Sequence, residues 1–146
     1  MKFCRSRIEM PVGSKQISFG LSVIRVFLGL AFMIHGFGKI QNPMGWMGPD
    51  APYPQFLLAL AATAEFFGGL GMALGLFTSL ASLGIMATMS VAIAHHMSRG
   101  DGFAGGYELA MAYWVLAFFF LVVGPGRFSL DQLCSRKCQE KRSKQK

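Results

Sequence analysis

A chain of 146 residues with 53% hydrophobic and 14% charged residues has the length of a single domain, but too little polar sequence to cover a water-soluble one. Its formal charge of +7 would suit a nucleic-acid partner, but its placement argues otherwise, because most of the basic residues collect at the two ends of the chain, outside the apolar blocks. The distribution points instead to a protein whose solvent is the lipid bilayer.

The first 16 residues form a basic tail containing Lys2, Cys4, Arg5, Arg7 and Lys15. An apolar stretch of about Ile17 to Ile40 follows, enough to cross a bilayer core of roughly 30 Å at 1.5 Å per helical residue. It is longer than the apolar region of a secretory signal, carries Arg25 and has no clear small-residue cleavage site, so it is expected to remain as an anchor. Asn42-Pro43 and the proline-rich Pro49 to Pro54 close it. A second span is predicted at about Phe56 to Leu76 and a third at Ser79 to Met97, ending at Arg99-Gly100-Asp101-Gly102. The fourth runs from Gly106 to Gly124, where Gly124-Pro125-Gly126 stops it. Residues 17–131 thus read as one all-α integral membrane four-helix bundle, and residues 132–146 as a second basic tail.

Arg127, Arg136, Lys137, Lys141, Arg142, Lys144 and Lys146 follow the last span, whereas the loop after the first span has only Asp50 and the loop after the third has Arg99 with Asp101. By the positive-inside rule both termini are expected in the cytoplasm, as an even number of spans also requires. The basic tails would be drawn to anionic headgroups. Cys4, Cys134 and Cys138 all fall in these tails, where cytoplasmic thiols stay reduced, and a Cys-x-x-x-Cys pair by itself is a weak metal or redox signal.

Ionisable residues inside a span cost on the order of 2.5 to 3.5 kcal/mol each, so each needs a partner or an aqueous cavity. Arg25, about eight residues into the first helix, and Glu65, about nine into the descending second, come to similar depth, roughly 12 and 14 Å from opposite ends. The expectation is that they pair, as a structural brace or a proton relay. His35 and Lys39 end the first helix on one side, His95 and His96 end the third, and Glu108 begins the fourth. Gly84, Thr88, Ala92 and His96 recur every four residues on the third, a small-residue face leading to an inward His96. This group near the outer face either caps the bundle or, through His35, His96 and Glu108, holds a ligand headgroup such as a quinone. Neither a haem motif nor metal-ligand spacing is present. The glycines of Glu65-Phe66-Phe67-Gly68-Gly69-Leu70-Gly71 and Gly75 imitate a phosphate loop but lie mid-membrane. There, Gly71-x-x-x-Gly75 and the steps Ala61, Glu65, Gly69 read as helix-packing faces.

From about Ser18 to Asp131 the chain resembles the DoxX family of small bacterial inner-membrane proteins. The resemblance rests on Arg25 with His35-Gly36-Phe37-Gly38-Lys39, on Ala64-Glu65-Phe66-Phe67-Gly68-Gly69 leading to Gly75-Leu76-Phe77-Thr78, on Gly105-Gly106-Tyr107-Glu108, and on Gly124-Pro125-Gly126-Arg127-Phe128-Ser129-Leu130-Asp131. It implies a four-helix bundle in the cytoplasmic membrane, in a family whose named members include subunits of thiosulfate:quinone oxidoreductase and partners in thiol and oxidative-stress systems. The family's polar positions fall on Arg25, His35, Lys39, Glu65, Glu108 and Arg127. The expected role is a membrane subunit of a quinone-linked or thiol redox system, taking electrons from a partner subunit because the chain has no cofactor signature of its own. A non-catalytic assembly partner, a proton or small-molecule conductor, and a homo-oligomer remain open.

Overall fold

A computed structural model describes residues 15–143; Lys2, Cys4, Arg5, Arg7, Lys144 and Lys146 lie outside the described residues, and with them the sequence expectations for those positions. Four long apolar helices run up, down, up and down: α1 (Lys15–Gln41), α2 (Gln55–Leu74), α3 (Thr78–Ser98) and α4 (Glu108–Val123), followed by α5 (Leu130–Ser143). The predicted spans agree with α1 to α3 to within two residues at each end. At 16 residues α4 reaches only about 24 Å, and a single wide turn over Phe103–Tyr107 extends the fourth crossing toward bilayer length. Ala104 and Gly105 break its helical backbone, so the segment turns the chain into α4 at a kink. Residues of the expected C-terminal tail form most of α5, whose polar composition hid it from a hydropathy reading.

The bundle is held by narrow inward stripes. On α1 these are Ser18, Leu21, Arg25, Leu28, Gly29, Phe32 and Gly36; on α2 they are Leu58, Ala62, Glu65, Gly69 and Met72. Both repeat at close to 3.5 residues, the spacing that keeps a seam facing its neighbour. Large apolar groups such as Phe27, Ile34, Phe67, Leu80 and Val115 face outward, as lipid-facing side chains do.

Glycines bring α1 and α2 to backbone contact. A β-carbon on Gly29 would lie 2.5 Å from the Gly69 carbonyl oxygen, and one on Gly36 would lie 2.6 Å from the Phe66 nitrogen. Gly69 therefore packs as the sequence predicts. Gly75 does not: with φ +67° it is the left-handed cap that ends α2, so the Gly71-x-x-x-Gly75 face stops one residue short. On α3 the deepest residues are Thr78, Ala81, Ser82, Ile85 and Met89, leaving Gly84 and Thr88 on its half-buried shoulder. The closest packing is between α1 and α2, and the seam between α1 and α4 is the lightest of the four.

Candidate functional site

The polar residues segregate to two ends of the bundle. The loop face carries residues 42–54 and 99–107; the terminal face carries the start of α1, the α2–α3 turn and α5.

On the loop face Gly36 admits the α2 backbone at Glu65 and Phe66. Lys39, one turn further along α1, then reaches the Glu65 carboxylate, its Nζ standing 2.8 Å from Oε1 and 2.7 Å from Oε2. Glu65 is nearly fully buried and Lys39 half-buried, so this ion pair is set into the apolar bundle with one side toward the interface. Trp46 covers it, with its ring centroid 4.3 Å from the Lys39 ammonium. The indole is fixed in turn by Nε1 donating to the Leu58 carbonyl at 3.2 Å, which ties the α1–α2 loop down onto α2.

The expected Arg25–Glu65 pair is therefore corrected. Equal counting from the predicted helix starts put the two at one depth, but the glycine contacts set a different register. Gly36 lies beside Phe66, Gly29 beside Gly69 and Ala73, and Arg25 beside Gly75. Arg25 and Glu65 are separated along the seam by about ten residues of helix, roughly 15 Å.

The histidines also divide. His96 Nδ1 is 2.8 Å from Asp101 Oδ2 in the following loop, and His95 Nδ1 lies 3.4 Å from the Tyr53 hydroxyl. His35 is exposed on α1, its ring 6.2 Å from Tyr113 of α4, which also packs edge-on against Phe32. Glu108 aligns every seven residues with the exposed Val115 and Val122, and so belongs to the lipid-facing stripe of α4. Among the described residues no hydrogen bond or ring contact joins any two of His35, His96 and Glu108, and His96 pairs instead with Asp101. The sequence reading missed Trp46, Tyr53, Asp101 and Tyr113. Asp101 stands only five residues past His96 on the far side of a glycine turn, and interfacial aromatic residues are a recognised signal.

The terminal face is organised by Arg25, whose Nη1 donates to the Pro125 carbonyl at 2.6 Å and Nη2 to that of Phe128 at 2.8 Å. Its headgroup fits because Gly75 has no side chain; a β-carbon there would lie 2.5 Å from Nη1. The Asp131 carboxylate attracts the same guanidinium while capping α3. Oδ1 accepts from the Phe77 N–H at 2.8 Å, and Oδ2 accepts from the Thr78 N–H and hydroxyl at 2.9 Å each. The Asp131 N–H closes the clasp on the Gly75 carbonyl at 2.9 Å. Cys134 and Cys138 are free and exposed on α5. Among the described residues no group of three or more histidine, cysteine, aspartate or glutamate side chains is placed to hold a metal ion.

The clasp joins three of the sequence pieces singled out at the start: Arg25, the Gly75 to Thr78 turn and the Gly124 to Asp131 loop. Comparison with known proteins gives the arrangement a context. The DoxX family model matches residues 20–97. An uncharacterised protein of Haemophilus influenzae is 29% identical over 123 residues, covering 80% of this chain and 92% of its own length. The inner membrane protein YqjF of Escherichia coli is 29% identical over 130 residues, covering 81% of this chain and 94% of its own. No solved structure matches. With four helices long and apolar enough to span, the chain is a multi-pass protein of the inner membrane.

Proposed function

The chain belongs to the DoxX family, and on that premise we propose that it is the membrane subunit of a quinone-linked or thiol redox system, offering a headgroup site that opens from the lipid. The observation that carries this reading is the His35–Tyr113 pair at the lightly packed α1–α4 seam, one helical turn from the buried Lys39–Glu65 ion pair.

The exposed His35 imidazole and the Tyr113 hydroxyl have no hydrogen-bond partner among the described residues, and together they offer polar edges to a ring diffusing in the bilayer. That donor set fits a quinone, whose two carbonyl oxygens accept hydrogen bonds and which, when bound, takes or gives two electrons and two protons. His35 holds and orients the headgroup, and its ring nitrogen gives or takes a proton. Tyr113 donates from its hydroxyl. Lys39 and Glu65 set the field one turn away, with the Trp46 ring against the ammonium. Electrons come from a partner subunit, since the chain has no dinucleotide fingerprint and no cysteine pair within its spans.

Quinone retained by the purified protein tests the reading. Wild type is expected to retain it, and His35→Ala with Tyr113→Phe to lose at least nine-tenths of it; equal quinone content in both would overturn the proposal.

A second reading, a non-catalytic assembly partner, is favoured by the internal neutralisation of charge within the spans: Lys39 by Glu65, and Arg25 by two carbonyls and Asp131. A stable partner subunit that co-purifies equally with wild type and the His35→Ala, Tyr113→Phe variant, in the absence of bound quinone, would select this reading.

A further inference from the structure

The opposite end of the bundle carries a second polar feature that the redox reading does not use. A cavity of about 570 Å³ opens at the terminal face, within the range of roughly 300 to 1,000 Å³ usual for small-molecule sites. Three cations line it from three separate elements: Lys15 at the first residue of α1, Arg127 in the loop after α4, and Arg136 in the second turn of α5. Apart from Ser129 its remaining wall is apolar, with Leu74 at the last residue of α2, Phe128 and Leu133 each leaving about half of its surface exposed. Among the described residues no carboxylate lines it. Asp131, the nearest acid in sequence to Arg127, is turned away to cap α3.

We propose that this cavity is a seat for an anionic diacyl phospholipid, with Lys15, Arg127 and Arg136 around the phosphodiester and Leu74, Phe128 and Leu133 against the upper acyl chains. Two observations favour lipid over a free anion. The cavity lies where α1 begins and α2 ends, the level at which spanning helices meet the headgroups. Its exposed leucines and phenylalanine would serve no purpose toward inorganic phosphate, whereas acyl chains would cover them. None of the three cations has a salt-bridge partner among the residues whose side chains the structure describes. A lipid held there would also link α5 to the start of α1 through a shared headgroup.

The test uses the full chain purified in detergent, with lipid binding followed by native mass spectrometry against added phosphatidylglycerol, phosphatidylcholine and inorganic phosphate. Wild type is expected to bind phosphatidylglycerol selectively. A cation near an anionic headgroup contributes roughly fivefold in affinity, so Arg136→Gln should weaken binding about fivefold and Arg127→Gln with Arg136→Gln about 25-fold. Lys137→Gln makes the same charge change on the same helix without lining the cavity, and is expected to leave binding unchanged. Arg127→Lys with Arg136→Lys should retain most of the affinity, which separates lost charge from lost fold. Equal weakening by Arg136→Gln and Lys137→Gln would overturn the site in favour of diffuse attraction. Equal binding of phosphatidylcholine, or complete displacement of phosphatidylglycerol by millimolar phosphate, would overturn the assignment of an anionic lipid.

Discussion

Asp131 caps the helix that begins at Thr78, although 53 positions separate them in the chain. Both carboxylate oxygens are engaged there, one by the Phe77 N–H and the other by the Thr78 N–H and hydroxyl. Helix starts leave N–H groups unsatisfied, and an acceptor normally comes from the residue just before the helix. Here that residue is Phe77, an apolar side chain at φ 49°, and the acceptor arrives from the start of α5, far away in sequence on the same face of the bundle. The cap thereby fixes α5 to the α2–α3 turn.

Replacing Asp131 should loosen both elements at once. Loss of an N-cap acceptor costs about 0.5–2 kcal/mol, and Asp131→Ala removes two acceptor oxygens and the attraction to Arg25. We expect a destabilisation at or above the top of that range in detergent-monitored unfolding, and faster tryptic cleavage at Arg136 in α5. Thr78→Val removes one hydrogen bond and should cost about 0.5–1.5 kcal/mol without exposing α5. Equal effects of the two variants would show that the carboxylate does not bind the elements together.

Arg25 should tolerate no apolar replacement despite lying in an apolar helix. Arg25→Leu leaves the Pro125 and Phe128 carbonyls without their donors, and hydrogen bonds to charged groups are worth about 1.5–3 kcal/mol each. Arg25→Lys keeps the charge but lacks the fork that reaches both carbonyls, so it should recover only part of the loss. Thermal unfolding of the two variants beside wild type decides this, and a leucine variant as stable as wild type would refute it.

The crossings were legible because a bilayer demands about 20 apolar residues each and hydropathy reports that directly. The partner of Arg25 was not legible because it is two backbone carbonyls, at sequence separations of 100 and 103, which leave no side-chain signature. Glu65 was recognised as buried and needing a cation, but Arg25 and Lys39 share a stripe on α1, and only the inter-helix register decides between them. That register is set by Gly29, Gly36 and Gly69, whose backbone contacts become visible only once both helices are placed. Glu108 was drawn to the histidines by depth alone; its angular position, aligned with Val115 and Val122, puts it on the lipid side.

Substitution at those glycines should separate along the same line. Gly29→Ala puts a methyl group 2.5 Å from the Gly69 carbonyl, with backbone that cannot move away cheaply, and should destabilise the bundle by at least about 1–3 kcal/mol. Gly20→Ala meets nothing within 4 Å on the same helix and should be neutral or gain up to about 1 kcal/mol from helix propensity. Unfolding midpoints of the two single variants compare the effects under identical conditions, and a neutral Gly29→Ala would mean that α1 and α2 do not meet at this register.

The Lys39–Glu65 pair makes the most discriminating test, because a partly buried ion pair has opposite consequences when one charge or both are removed. Lys39→Met strands a carboxylate among α1 and α2 side chains, and breaking a buried pair from one side costs about 3–5 kcal/mol. The partial exposure of Lys39 lets water reach the site and should bring the cost to the lower part of that range. Glu65→Gln leaves the ammonium free to turn toward the interface and to stay over Trp46, so it should cost less than Lys39→Met. The double variant Lys39→Met, Glu65→Gln carries no buried charge and should be more stable than Lys39→Met alone. Direct pairing thus predicts a coupling of about 0.5–3 kcal/mol in a double-mutant cycle. The same cycle built on Arg25→Leu with Glu65→Gln should be additive within about 0.5 kcal/mol, because the two residues stand roughly 15 Å apart along the α1–α2 seam. Coupling in the second cycle and additivity in the first would reverse the register and restore Arg25 as the partner of Glu65.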